Sequence, residues 1–122
     1  MDKYALATGK ERTKVNLLAS HMGNDLLVSI YNENAHVGAV AVGEYDHNEK
    51  RVSCSVLTRL GHKDDNVAYE AAHEISNITK KPVCVVAGIH LDEITINEID
   101  NILQNARTLV AQLCHALEKD DA

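Results

Sequence analysis

The residues best suited to chemistry fall in two short stretches, Arg59-Leu60-Gly61-His62-Lys63-Asp64-Asp65 and Gly88-Ile89-His90-Leu91-Asp92. Each leads into a helical pattern. The start of a helix presents unpaired N–H groups and the positive end of the backbone dipole, and both favour an anion. Arg59 and Lys63 add positive charge. His62 and His90 can donate hydrogen bonds, more strongly when protonated. A ligand carrying a phosphate is the guest this chemistry suits, with Arg59, Gly61, His62, Lys63, Asp64, Gly88, His90 and Asp92 as its binding set. Each residue also has a purely structural reading. Gly61 can serve as a turn glycine and Gly88 as a close-packing one. His62 and Lys63 can form a solvated turn, and Asp64, Asp65 and Asp92 can cap backbone N–H groups.

Other catalytic patterns are missing. The chain has no G-x-S-x-G elbow, no G-x-x-x-x-G-K-[ST] loop, no G-x-G-x-x-G turn and no H-E-x-x-H helix. His73-Glu74 comes nearest to the last, but Asn77 stands where the second histidine would be. His21, His36, His47 and His115 are scattered and read as non-ligands. Cys54, Cys84 and Cys114 are far apart, form no C-x-x-C and lie in apolar segments. They read as buried thiols acting as small hydrophobes, not as a disulfide frame or a zinc site. No catalytic residue and no metal site is assigned.

The elements that must position the two stretches can be read from periodicity. Pro82–His90 is a nearly unbroken apolar run with β-branched residues, which reads as a strand covered on both faces. Pro82 suits its start because it offers no N–H. Before it, Val67, Ala68, Ala71, Ala72, Ile75 and Ile78 follow the helical period over 65–80, on an alanine-rich face fit for tight packing on a sheet. After it, Thr95-Ile96-Asn97-Glu98 forms a capping box, with Ile94 and Ile99 as its staple. The helix over 96–118 carries Ile99, Ile102, Leu103, Ala106, Leu109, Val110, Leu113 and Leu117 on one stripe.

Upstream the period is two. Val15, Leu17 and Ala19, then Leu26, Val28 and Ile30 across Gly23-Asn24, predict a hairpin. A third strand is predicted over His36–Val42, where Gly38, Ala39 and Ala41 imply that something packs close. A fourth, with Val52, Cys54 and Val56 on one side, follows a turn at Asp46–Lys50. Residues 1–12 read as a loose arm or a short edge strand, and 119–122 as a frayed tail.

The expected fold is α+β, one domain over 1–122. It has a mostly antiparallel sheet, a four-strand meander plus a fifth strand, and two helices in the order ββββαβα. The crossover from Val52 to His90 is long enough for the fourth and fifth strands to pair in parallel. That pairing would bring both chemical stretches to one end of the sheet.

Composition narrows the class of function. The formal charge of −6 argues against a nucleic-acid partner, which calls for a basic face. No apolar run approaches a membrane span, and the N-terminus lacks an apolar signal core, so a soluble, cytoplasmic protein is expected. With no Phe, no Trp and four Tyr, the core must be aliphatic.

At its two chemical stretches the chain resembles the prenylated-flavin chaperone (LpdD-like) family. The likeness lies in Gly61-His62-Lys63-Asp64-Asp65 ahead of an alanine-rich helix. It continues in Val85-Val86-Ala87-Gly88-Ile89-His90-Leu91-Asp92 ahead of Ile94-Thr95 and a long helix, and it covers about Lys14 to Leu117. The resemblance implies a fold similar to proteasome assembly chaperones, commonly dimeric. It also implies a non-enzymatic role, holding or delivering prenylated FMN (or FMN) for a UbiD-like decarboxylase, with a flavin prenyltransferase as a further partner. A flavin ring often stacks on an aromatic side chain, and Tyr31, Tyr45 and Tyr69 are the candidates. Two other readings stand beside this one. One is a ligand-free assembly chaperone docking protein partners, and the other is a small enzyme using His62 or His90 as acid–base on a phosphorylated substrate. A homodimer is expected on physical grounds too, because helices on one face of a sheet leave the other face uncovered.

Overall fold

A computed structural model of the chain describes residues 3–59 and 64–121. Six strands and two long helices follow one another. They are β1 (Lys3–Thr8), β2 (Val15–Met22), β3 (Asp25–Tyr31), β4 (Ala39–Asp46), β5 (Arg51–Thr58), α1 (Asp65–Thr79), β6 (Val83–Gly88) and α2 (Ile96–Asp121). The strands form one sheet in the order β1-β2-β3-β6-β4-β5.

The β2–β3 hairpin forms as its alternation requires. Gly23 takes the left-handed conformation at φ +61°, and Met22 faces Asp25 across a two-residue turn. The turn from β4 to β5 is held by Asp46, whose Oδ1 accepts from the Asn48 and Glu49 N–H groups at 2.9 and 3.1 Å.

The expected meander is interrupted. Strand β6 inserts between β3 and β4, running parallel to β3 with Val28 opposite Val85, and antiparallel to β4 with Ala41 opposite Val85. The predicted parallel pairing of the fourth predicted strand with the fifth is therefore replaced by pairing with β3. Even so, the consequence drawn from it stands. Strand β4 is antiparallel to both β5 and β6, so those two run the same way, and Ala39 lies opposite Thr58 on one side and Ala87 on the other. Both chemical stretches leave from one end of the sheet.

The ends of the elements refine the expectations. Of the two readings of residues 1–12, the edge strand holds for residues 3–8, which pair with β2, and Glu11–Thr13 is a 3-10 turn fastened to α2. There Asn105 Nδ2 donates to the Thr13 carbonyl at 2.9 Å and Arg12 Nε to Glu98 at 2.7 Å. The tail is helical through Asp121, and Asp120 accepts a hydrogen bond from the Tyr4 hydroxyl. The third strand begins at Ala39, so His36–Gly38 instead cross the end of the sheet.

Both helices cover the same face. The core joins Val15, Leu17, Val28 and Ile30 to Ala39, Ala41, Val83, Val85 and Ala87, under Ala68, Ala72 and Ile75 of α1 and Leu109 and Leu113 of α2. The small residues of β4 serve the close approach they implied. A Cβ at Gly43 would sit 2.7 Å from the Ala72 carbonyl oxygen, so α1 lies almost on the backbone of β4.

No element among the described residues covers the other face. Leu18, Met22, Leu27, Val42 and Leu57 are exposed there. Cys84 and Val86 point the same way and are half-buried. The reading of β6 as covered on both faces is thus met on one face only. Of the three thiols, Cys114 alone is buried, with Cys54 on the helix side and Cys84 on the open side.

Candidate functional site

At the carboxyl end of the sheet, the ends of β3, β6 and β5 and the lead-in to β4 come together. Asn32 follows β3 directly and is 3% exposed. Its side chain acts as one more residue of strand pairing. Nδ2 donates to the His90 carbonyl at 2.8 Å, and Oδ1 accepts the His90 N–H at 3.0 Å. This clamp fixes where the chain leaves β6, and hence where His90 stands. A buried amide satisfied on both sides is stiff as well as stable.

The half-exposed ring of His90 lies 5.5 Å from that of His36, and its Nε2 is 3.2 Å from Asp92 Oδ1. Asp92 itself is largely in solvent. Gly88 has the close-packing role, because a Cβ there would run into the His36 carbonyl. Next along the edge, Gly38 donates its N–H to Ala87 at 2.9 Å and accepts from the Arg59 N–H at 2.8 Å. The Arg59 guanidinium donates to the Val37 carbonyl at 2.8 Å and keeps further exposed donors.

Asp64 differs from its expected role. It precedes α1 but makes no side-chain hydrogen bond to the first turn. Instead its buried carboxylate occupies the space a side chain at Gly38 would need. Gly61, His62 and Lys63 lie outside the described residues. Of the predicted set, Arg59, Asp64, Gly88, His90 and Asp92 are brought to the same sheet end.

The start of α2 already has its own anion. Thr95 Oγ1 accepts the Glu98 N–H at 3.1 Å and Glu98 Oε1 accepts the Thr95 N–H at 3.0 Å, which is the predicted capping box. Arg12 closes the arrangement by donating to Glu98 and, through Nη2, to the Asp92 carbonyl at 2.7 Å. The Arg12 hydrogen bond, helped by the Thr95 N–H, pulls the Glu98 carboxyl down to about 2 and raises Arg12 in return. The first turn of α2 thus already holds a carboxylate, while Arg59 and the His36–His90 pair supply other polar side chains at this sheet end.

A second feature lies on the helix side. Between α1 and α2 there is a cavity of about 510 Å³, lined by Val67, Ala71, Leu103, Ala106 and Val110, with Ile30 of the sheet as floor. Arg107 spans it to Glu70 through two bonds of 3.0 and 3.1 Å.

Asn32, His36 and Arg12 escaped the sequence reading because their partners are distant in the chain; for Asn32 and His90 the separation is 58 residues. Three-residue metal clusters are absent among the described residues. Burial pushes the Cys114 thiol up to about 12, with Glu74 and Glu118 adding to the effect. Burial also raises Cys54, so neither is a ready nucleophile.

The model of the prenylated flavin chaperone LpdD-like domain matches residues 9–118. The chain belongs to that family. No individual curated protein matches the sequence. Among solved structures, a chain from a chaperone complex for yeast 20S proteasome assembly is similar over 98% of both chains, with a TM-score of 0.60 and 12% identity. At that identity the likeness is one of fold, and it agrees with the expected α+β architecture. No helix among the described residues is long and apolar enough to cross a membrane.

Proposed function

We propose that this protein is a non-enzymatic carrier of prenylated FMN that holds the cofactor for a UbiD-like decarboxylase. Membership of the prenylated flavin chaperone family over most of the chain carries this reading. The sheet end supports it chemically. Arg59 and His90 would hold the phosphate, with Gly61–Lys63 completing the loop. Asp64, Gly88 and Asp92 have supporting parts, as a buried carboxyl group beside Gly38, a close-packing glycine and the partner of His90. The residues fit a phosphate better than a metal, since Arg59 brings a fixed positive charge with exposed donors and no cluster of three metal-ligating side chains occurs among the described residues. The cofactor's own chemistry belongs to the decarboxylase. A carrier needs only to bind, shield and release.

The decarboxylase would meet the carrier at this same end, where Val37, Ile94, Ile96 and Ile99 expose apolar surface beside the loops. A flavin prenyltransferase would hand over the cofactor at the same place. The open sheet face we assign to a second copy. Six strands about 4.8 Å apart and six to eight residues long present roughly 700 Å² in projection. A standard interface takes about 800 Å² per partner, and a corrugated surface exceeds its projection.

Titration of prenylated FMN and FMN against the wild type, Lys63→Ala and His90→Ala tests the carrier reading. Loss of one charge-assisted hydrogen bond should weaken binding by about 10- to 150-fold in Lys63→Ala. Wild-type protein that binds neither flavin would leave a ligand-free assembly chaperone as the better reading. Turnover of a phosphorylated compound that disappears in His90→Ala would favour the enzyme.

A further inference from the structure

The cavity between the helices exists because both walls carry small residues where larger ones would close it. Ala71 stands on α1, and Ala106 and Ala111 on α2. The opening reaches down to Ile30, which belongs to the sheet. Its volume of about 510 Å³ lies within the roughly 300–1,000 Å³ range of small-molecule sites. The lining is apolar below and polar above, where Tyr69, Glu70, His73, Glu74 and Arg107 form the rim. The rings of Tyr69 and His73 are 5.9 Å apart and inclined by 34°, and Tyr69 is 45% exposed.

Resting on the flavin-carrier reading, we propose that this cavity receives the ring system of the cofactor whose phosphate is held at the sheet end. Three observations converge. First, position: the α1 lining begins at Val67, three residues or about 4.5 Å along the helix from Asp64, and runs about 10 Å to Glu74. The cavity therefore starts within a turn of the loops proposed for the phosphate. Second, shape: an opening lined along several turns of two helices suits a flat, fused ring, and Tyr69 and His73 supply the aromatic faces that the core lacks. Third, polarity: the pyrimidine edge of a flavin carries carbonyl acceptors and an N–H donor. Arg107 offers donors, and Glu70 and Glu74 offer acceptors. The apolar floor suits the opposite edge and the prenyl-derived carbons. Arg107 and Glu70, paired across the slot, would exchange part of their mutual bonding for the ligand.

Binding titrations followed by flavin fluorescence separate the two subsites. The probes are prenylated FMN, FMN and riboflavin, which has the ring without the phosphate. Tyr69→Ala should weaken all three at least tenfold and reduce the fluorescence quenching caused by stacking, while Tyr69→Phe should retain both. Ala111→Leu, at an exposed position on the cavity wall, should weaken all three without disturbing the core. His90→Ala should weaken the two phosphates and spare riboflavin. Wild-type affinities in both Tyr69→Ala and Ala111→Leu, with FMN still dependent on His90, would overturn the ring site and leave the carrier reading intact. A wild-type protein that binds no flavin would overturn both.

Discussion

The two faces of the sheet are made by the same strands, yet they carry different burdens. On the helix side, Ala39, Ala41, Val83, Val85 and Ala87 are fully or almost fully buried, small enough for α1 and α2 to approach the backbone. On the other side, the row Leu18–Ser29–Val86–Val40–Leu57 runs across five strands, and Leu27–Cys84–Val42 runs beside it. Leu57 is 77% exposed and Val42 48%. The covered face is a finished core. The open one mixes serines with aliphatics and leaves both partly in solvent, as a core does not.

The largest way to sharpen this contrast is to place a charge on each face. Val85→Asp would bury a carboxylate with no cation near it, costing several kcal/mol against the roughly 5–15 that hold a domain together. We expect no cooperative melting transition and no soluble folded protein. Val42→Asp, one strand away on the open face, should leave the domain folded, with a melting temperature within a few degrees of the wild type. It should nonetheless convert the proposed homodimer to monomer in sedimentation. Wild-type protein already monomeric at micromolar concentration would break the comparison.

The thiols test it more gently. Cys84 should react slowly with a thiol reagent in the dimer and quickly in Val42→Asp, while Cys114 stays inert in both, held up near 12 by burial. Equal reactivity of Cys84 in the two proteins would place the interface elsewhere.

Smaller effects belong to the end of the sheet. Thr95→Ala removes one half of the capping box and should cost about 1 kcal/mol in denaturant unfolding. Because the folded Glu98 carboxyl is lowered to about 2, its contribution is complete above its unfolded value near 4.3 and is lost as pH falls from there through about 2. Protection of the first-turn amides of α2, taken relative to their intrinsic exchange rates, should therefore fall over that interval, and Arg12→Ala should flatten the fall. An identical pH response in Arg12→Ala would remove Arg12 as the cause.

Much of this architecture was legible wherever its cause was local. The capping box needs four consecutive residues, the Gly23-Asn24 turn needs two, and the α1 face needs only the recurrence of Val67, Ala68, Ala71, Ala72 and Ile75. The strands that lead toward the two helices, β5 and β6, were legible for the same reason. Tertiary structure alone decided the rest. A strand written as Val-Cys-Val-Val can pair with any neighbour of suitable pattern, and its insertion between β3 and β4 depends on the total packing of six strands under two helices. The Asn32 clamp on His90, the meeting of His36 with His90, and the Arg107–Glu70 pair across the cavity all join residues far apart in the chain. Local sequence carries the energy of turns, caps and faces. Contacts between distant segments exist only after the chain has closed those loops, so no window of residues could have shown them.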